Sequence, residues 1–218
     1  MSGKTPIQAG LKAAIVPVTP FEQNCTLLWD TESRTGAVVD PGGDLPRIRA
    51  AIAKVGVRVE KILITHGHID HAGGAAELRE ELGVPIEGPH QSDHFLLDAL
   101  DTQGRNYGIA ARAVVPERWL AEGDTVVVAG HRFAVFHCPG HSPGSVVLFN
   151  NAQRFAVVGD VLFRGSIGRT DFPYGDHEAL IGAIKTKLLP LGDDVAFICG
   201  HGPTSTFGAE RRSNPFIA

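Results

Sequence analysis

The sequence predicts an α/β sandwich in which two mixed β-sheets pack together and helices cover both outer faces. Each half of the 218-residue chain shows short apolar runs followed by a helical pattern. Hydrophobic residues make up 43% and charged residues 20%, which is typical of a globular protein with a full core. Because no charge block, low-complexity segment or long linker interrupts the chain, we predict a single domain over residues 1–218.

The first half contains strand patterns separated by turn residues. The predicted strands cover residues 12–18, 25–30, 35–40, 59–65 and 84–89. Apolar residues at helical spacing predict a helix over 45–55, with Asp44 as its N-cap. A second helix is predicted over 72–83, ending at Gly83, because glycine readily adopts the left-handed conformation that closes a helix.

The second half repeats this rhythm. Strands are predicted over 124–129, 131–138, 144–150 and 153–160, with a last strand over 193–200. Residues 175–192 hold a helix that Asp176 is expected to cap.

Composition excludes several classes of function. The formal net charge of −4 argues against a nucleic-acid-binding protein with a basic surface. Apolar runs such as 13–18 are too short to span a bilayer, and the N-terminal stretch 1–17 lacks the apolar core of a secretory signal. The three cysteines are too few and too distant for a disulfide framework, which predicts a reducing cytoplasm. The sequence does not define the oligomeric state.

A dense cluster of metal-ligand residue types follows the strand pattern at 59–65. The segment "THGHIDH", residues 65–71, contains His66, His68, Asp70 and His71. Side chains two apart on an extended segment point the same way, and the turn that follows lets the next two converge with them. Neutral imidazole and carboxylate are the usual ligands of zinc, manganese and non-haem iron, so the segment predicts a metal site.

Three further candidate ligands lie beside glycines at later strand ends: His141, Asp160 and His201. Seven ligands suffice for two ions. In one grouping, one ion takes His66, His68 and His141, the other takes Asp70, His71 and His201, and Asp160 bridges the two ions.

The segment "THGHIDH" resembles the T-H-x-H-x-D-H signature of the metallo-β-lactamase-fold hydrolases. The later segments "PGHSPG", "VVGD" and "GHGP" fall in the order of that family's remaining metal motifs. The resemblance implies an αββα sandwich with two divalent metal ions held by the seven residues, with zinc expected and iron or manganese as alternatives. It also implies that Asp40 supports the site from behind the ligands; the alternative is that Asp40 only forms the turn before "PGG".

Within this family, segments 137–149 and 159–172 resemble the glyoxalase II-like branch, in its short bacterial form. The resemblance implies hydrolysis of S-lactoylglutathione or a related acyl thioester. Because only 17 residues follow His201, we expect the C-terminal helical region that supplies glutathione contacts in full-length enzymes to be absent. Arg169 matches a lysine that contacts glutathione there, and Asp171 replaces an aromatic residue. Arg164 and Arg169 are candidate substrate-binding residues, or one of them pairs locally with Asp171 or Asp176.

Two cations that share a water lower its pKa, and Asp70 is placed to orient that water or accept its proton. No dedicated acid for an amine leaving group is evident, which favours thioesters over β-lactams. Persulfide dioxygenases also resemble this chain, notably in segment 164–172, and would use one iron on His66, His141 and Asp160. A non-catalytic metal-binding domain is disfavoured because Asp70 remains available to act on water.

Overall fold

The computed structural model describes residues 10–217, and two β-sheets form its centre. Residues 1–9, which belong to the N-terminal stretch without the apolar core of a secretory signal, lie outside the described residues. The first sheet has strand order β1-β2-β3-β4-β5. Its strands are β1 (Leu11–Val18), β2 (Gln23–Asp30), β3 (Thr35–Val39), β4 (Arg58–Leu63) and β5 (Ile86–Glu87). β1, β2 and β3 pair antiparallel, whereas β3, β4 and β5 pair parallel, so the sheet is mixed.

The second sheet is also mixed and has strand order β13-β12-β9-β8-β7-β6. Its strands are β6 (Thr125–Val128), β7 (His131–His137), β8 (Val146–Asn150), β9 (Phe155–Val157), β12 (Ala196–Ile198) and β13 (Ser205–Thr206). Only β9 and β12 pair parallel. A separate hairpin joins β10 (Leu162–Phe163) to β11 (Ser166–Ile167).

Seven α-helices surround the sheets in the described part of the chain. They are α1 (Leu45–Val55), α2 (Ile69–Ala72), α3 (Ala75–Leu82), α4 (His94–Asp98), α5 (Leu100–Tyr107), α6 (His177–Ala183) and α7 (Phe207–Ser213). A turn of π-helix, Ile184–Leu188, extends α6. No helix within residues 10–217 is long and apolar enough to cross a membrane.

Three clusters of buried side chains show that the chain forms four layers. Val38 and Ile62 pack with α1 and α3 on the outer side of the first sheet. Their neighbours Val39 and Leu63 face the second sheet instead, since successive strand residues point to opposite faces. The third cluster packs α6 and α7 against the second sheet. The predicted sandwich of two mixed sheets with helices on both outer faces is confirmed.

The predictions for the helix ends are confirmed at two residues and wrong at a third. Asp176 caps α6 by accepting a hydrogen bond from the Ala179 N–H, and Gly83 closes α3 with a φ of 65°. The prediction for Asp44 was wrong: its side chain makes no cap hydrogen bond to α1. It accepts the Thr19 N–H at 2.8 Å and so ties the loop after β1 to the start of α1.

Two other element predictions need correction. The helix predicted over 72–83 is α3, which begins only at Ala75, and a separate helix of one turn, α2, precedes it at Ile69–Ala72. The strand predicted as the last, 193–200, is reduced to β12, and β13 and α7 follow it. β13 adds an antiparallel edge to β12, and the Thr206 side chain caps α7 at the Ala209 N–H.

Candidate metal centre

Strand ends from both sheets deliver the seven candidate ligands to one edge of the sandwich. β4 ends just before His66, and β7 and β9 lead to His141 and Asp160. β12 leads to His201, and the Asn24 N–H on β2 donates to the carbonyl oxygen of the adjacent Gly200 at 2.7 Å. The first sheet therefore holds the loop that carries the last ligand of the second sheet.

The first group consists of His66, His68 and His141, whose ring nitrogens converge on one point. The His68 Nδ1 lies 3.1 Å from the His66 Nε2 and 2.9 Å from the His141 Nε2. All three side chains are buried. The structure thus brings these three predicted residues together, with one nitrogen from each ring facing the others.

The second group consists of Asp70, His71 and His201. The Asp70 Oδ2 lies 3.2 Å from the His201 Nε2 and 3.8 Å from the His71 Nε2. Asp160 lies between the two groups: its Oδ2 is 3.5 Å from both the His141 Nε2 and the His201 Nε2. One carboxylate oxygen of Asp160 is therefore within reach of both groups.

The outer ring nitrogens determine which atoms face the centre. The His141 Nδ1 and the His201 Nδ1 lie 2.9 Å and 3.1 Å from the carbonyl oxygens of Arg169 and Phe21. A carbonyl oxygen can only accept, so each Nδ1 carries a proton, and each Nε2 presents a lone pair to the centre when its ring is neutral. The His71 Nδ1 likewise faces the Asp40 carboxylate at 2.9 Å. In metal-binding histidines, a hydrogen bond to the ring nitrogen that faces away from the metal characteristically fixes the tautomer.

The donor set fits a divalent cation. Lone pairs that face each other at about 3 Å repel unless a proton or a cation lies between them. Two inward atoms, the His71 Nε2 and the Asp160 Oδ1, are buried 3.3 Å from each other, yet neither makes a hydrogen bond of normal geometry. Buried polar atoms without partners are costly, and a metal ion held by imidazole and carboxylate would satisfy them.

The two groups differ in their electrostatics. Burial, and next the neighbouring His141, lower the pKa of His68 to about 3. Burial also opposes the charged form of His201, but hydrogen bonds to Asp160 and Asp70 outweigh it and raise its pKa to about 9. In His71, burial is outweighed by Asp160, Asp70 and Asp40, and the pKa rises well above its usual value. Without a metal, the second group therefore holds protons at neutral pH, and His68 does not.

Asp40 lies directly behind the second group. Its carboxylate accepts the Thr65 N–H at 2.7 Å and the Thr65 hydroxyl at 2.6 Å, as well as facing His71. Its backbone has a φ of 53°, in the left-handed region that non-glycine residues seldom adopt. Both roles considered for Asp40 have a physical basis here, because it turns the chain after β3 and also orients a ring of the centre.

Asp93 is a buried acid that the sequence did not single out. Its Oδ2 accepts the Gly67 N–H at 2.8 Å and the Ser142 hydroxyl at 2.7 Å, and its Oδ1 accepts the Gly144 N–H at 2.5 Å. These donors belong to the loop that carries His66 and His68 and to the loop that carries His141. Burial raises the pKa of Asp93, although all three donors favour its ionised form. Asp93 therefore joins the two loops that form the first group.

Tyr174 and Phe172 were also missed as site residues. The Tyr174 hydroxyl lies 2.8 Å from the His68 Nε2, the ring nitrogen that faces away from the first group. The Phe172 ring lies 4.9 Å from the His68 ring and stacks on Tyr174 at 5.4 Å. A short local sequence pattern does not reveal them, because their contacts are to a loop more than a hundred residues earlier.

The two candidate substrate-binding arginines occupy different places. The Arg169 guanidinium pairs with Asp171 at 2.8 Å and lies 4.4 Å from the centre of the Phe172 ring, so it is close to the first group. Arg164 lines a separate surface groove with residues of β12, β13 and α7. The local pair with Asp171 that was considered for one of the arginines is present at Arg169.

An αββα sandwich that gathers five imidazoles and two carboxylates at one edge has the architecture of a divalent-metal enzyme. The pattern of the Metallo-beta-lactamase superfamily matches residues 18–201, and the chain belongs to that superfamily.

Relatives and solved structures agree with this assignment. The chain is 45% identical to the hydroxyacylglutathione hydrolase GloC of Haemophilus influenzae, over 93% of this chain and 96% of the relative. The crystal structure of BLEG-1 B3 metallo-beta-lactamase superposes with a TM-score of 0.87 at 33% identity, covering 94% of this chain and 99% of that one. TTHA1623, solved in a di-iron-bound form, gives a TM-score of 0.83 at 37% identity, covering 94% and 100%.

Proposed function

We propose that the protein hydrolyses S-lactoylglutathione or a related acyl thioester in the manner of glyoxalase II. The observation that carries the proposal is the convergence of seven ligand atoms from strand ends of both sheets, with outer hydrogen bonds that leave lone pairs facing inward. The relative that shares 45% identity is named a hydroxyacylglutathione hydrolase, which supports the substrate class.

Two divalent ions, zinc first among the candidates, fit the two groups with Asp160 between them. The bound ions supply Lewis acidity, which lowers the pKa of a coordinated water and polarises the carbonyl of the substrate. Relatives of similar size include a protein solved in a di-iron-bound form, so iron is the first alternative to zinc.

The chain's own residues then complete the reaction. Asp70, whose Oδ2 lies 3.2 Å from the His201 Nε2, is placed to orient the attacking water and take its proton. The new C–O bond forms first and gives a tetrahedral intermediate, whose collapse restores the carbonyl and breaks the C–S bond, leaving a carboxylate and a thiolate. The thiolate leaves without a strong acid because a thiol has a pKa of about 8.5. Protons lost from water and carboxylic acid pass to the thiolate and to solvent.

Fewer residues support specificity for glutathione than support hydrolysis of a thioester. Arg169 lies over Phe172, whose ring contacts His68, and its guanidinium is already paired with Asp171. Arg164 lines the separate groove, and its role in substrate binding stays a prediction. We further propose a reducing compartment such as the cytoplasm, since Cys25, Cys138 and Cys199 are buried free thiols.

The proposal predicts metal-dependent release of free thiol. The chain should hydrolyse S-lactoylglutathione or a simple acyl thioester, lose activity after chelation and regain it when zinc is returned. Thiol release is followed with a thiol-reactive dye, with oxygen uptake recorded in parallel. Consumption of oxygen with glutathione persulfide, and no thioester turnover, would instead favour a dioxygenase with iron on His66, His141 and Asp160.

The two groups should respond differently to pH. Below its pKa of about 9, His201 must lose a proton when an ion binds, and His71, whose pKa is also raised, must lose another. His68, with a pKa of about 3, is already neutral. Raising the pH from 6 to 8 should therefore strengthen binding at the second group by about tenfold per unit for each displaced proton, whereas His68 adds no such dependence at the first group. Competition with a chromophoric chelator at each pH measures both affinities; identical pH dependence would contradict the assignment of protons.

A further inference from the structure

The geometry points to a substrate whose acyl group is aromatic or otherwise bulky and apolar, bound by a rim of five aromatic side chains around the metal centre. This inference rests on the proposed function and names the substrate class within it. The aromatic rim consists of Phe21, Phe95, Tyr107, Phe172 and Tyr174.

One part of the aromatic rim lies against the first group. Phe172 contacts the rings of His68 and His141 at centroid distances of 4.9 Å and 5.7 Å. Tyr174 stacks on Phe172, and Phe95 meets Tyr174 edge-on at 5.3 Å. Three rings thus form a continuous surface that leads outward from the first group.

The other part lies beside the second group. The backbone carbonyl oxygen of Phe21 accepts a hydrogen bond from His201, and the Phe21 ring meets Tyr107 edge-on at 5.4 Å. Tyr107 ends α5, which Gln103 fastens to the ligand loop: its Oε1 accepts the Ile69 N–H at 3.2 Å and its Nε2 donates to the Leu96 carbonyl. The aromatic residues are therefore held in position relative to the ligands.

Exposure indicates that these rings are available to a ligand. Phe21, Phe95 and Tyr107 are 43%, 46% and 54% exposed, and they are three of the seven large exposed apolar side chains in the described part of the chain. An exposed aromatic is unfavourable in water, whereas offset or edge-on contact with a second ring is favourable. Rings from four separate chain segments, gathered around one reaction centre, constitute a binding surface for the group attached to the reacting carbonyl.

The compensated charge beside the aromatic rim also favours an apolar acyl group. Arg169 lies over Phe172, and its charge is compensated by Asp171 at 2.8 Å. A small polar acyl group such as lactoyl cannot cover the rings, whereas an aryl group two or three bonds from the carbonyl can reach Phe172 and Tyr174. Discrimination between acyl groups should therefore follow apolar contact area.

The test compares acetyl and phenylacetyl thioesters of one thiol on the metal-loaded enzyme. Wild type should have the higher kcat/KM for phenylacetyl. Phe95→Ala should reduce the phenylacetyl-to-acetyl ratio by about five- to tenfold. Phe216→Ala is the matched control, because Phe216 is 48% exposed and makes no ring contact with the ligands in the described residues. A ratio unchanged by Phe95→Ala, or a wild type that favours acetyl, would overturn the inference.

Binding of the two products provides a readout that does not need turnover. Phenylacetate should bind the metal-loaded chain more tightly than acetate in calorimetry, and Phe95→Ala should remove most of that difference. Tighter binding of phenylacetate without any thioester hydrolysis would support the aromatic rim as a binding surface and reject the proposed function. Hydrolysis of both thioesters with equal affinities for the two products would support the proposed function and reject the aromatic rim.

Discussion

Replacing Asp70 with asparagine should reduce kcat/KM for thioester hydrolysis by about 10²- to 10⁴-fold, the range usual for loss of a general base. Asparagine keeps the size of the side chain but removes its charge and its ability to accept a proton. The Asp70 Oδ2 lies 3.2 Å from the His201 Nε2, so the change also removes one of the two carboxylates among the seven candidate ligands. Steady-state thiol release and metal content, measured on the same preparation, record both effects.

Asp98→Asn is the matched control for that experiment. Asp98 ends α4 with its side chain 59% exposed and only a 3.9 Å contact to His94, so this variant should behave like wild type. Full activity in Asp70→Asn at unchanged metal content would remove Asp70 from the mechanism.

Replacing Asp93 with asparagine should lower the free energy of unfolding and also weaken metal binding at the first group. Three donors now meet the carboxylate: the Gly67 N–H, the Ser142 hydroxyl and the Gly144 N–H. Only the amide oxygen of asparagine can accept, so at least one backbone N–H faces the amide nitrogen and is left unpaired. Leaving a buried donor unpaired costs about 1–3 kcal/mol, and loss of the buried charge adds to this, so we expect a loss of about 3 kcal/mol in the free energy of unfolding. Metal affinity at the first group should fall by about 10- to 100-fold, as for other residues that support ligands from outside.

Ser142→Ala separates the structural effect from the effect on the ligands. It removes one donor but leaves Asp93 charged and bonded to both backbone N–H groups, so about 1 kcal/mol of stability should be lost with little change in metal affinity. Chemical denaturation and cobalt titration, the latter followed by its visible spectrum, measure the two quantities. An Asp93→Asn variant that loses stability but binds cobalt at the first group as wild type does would show that Asp93 only supports the fold.

Much of the centre could be predicted from sequence because its ligands follow apolar strand patterns. His66, His68, Asp70 and His71 fall within six residues, so local spacing alone indicates a metal site. His141, Asp160 and His201 each stand beside a glycine at a strand end, and the ends of neighbouring strands meet at one edge of a sandwich. The sandwich itself follows from the alternation of strands and helices in both halves.

The remaining features depend on contacts between distant segments. Asp93 was missed because its partners lie 26 to 51 residues away in sequence. Asp44 precedes a helix, as an N-cap does, but a tertiary contact with Thr19 outcompetes the local cap. β13 has only two residues, too few for an alternation pattern, and is defined by its pairing with β12.

The most direct test of the account is a titration of the metal-free chain with zinc while thiol release from an acyl thioester is recorded. Because the two groups share Asp160, activity should rise with added metal and reach its plateau at two equivalents per chain. Full thioester turnover without metal, or a plateau at one equivalent with the second group empty, would contradict a centre in which both groups hold an ion for hydrolysis.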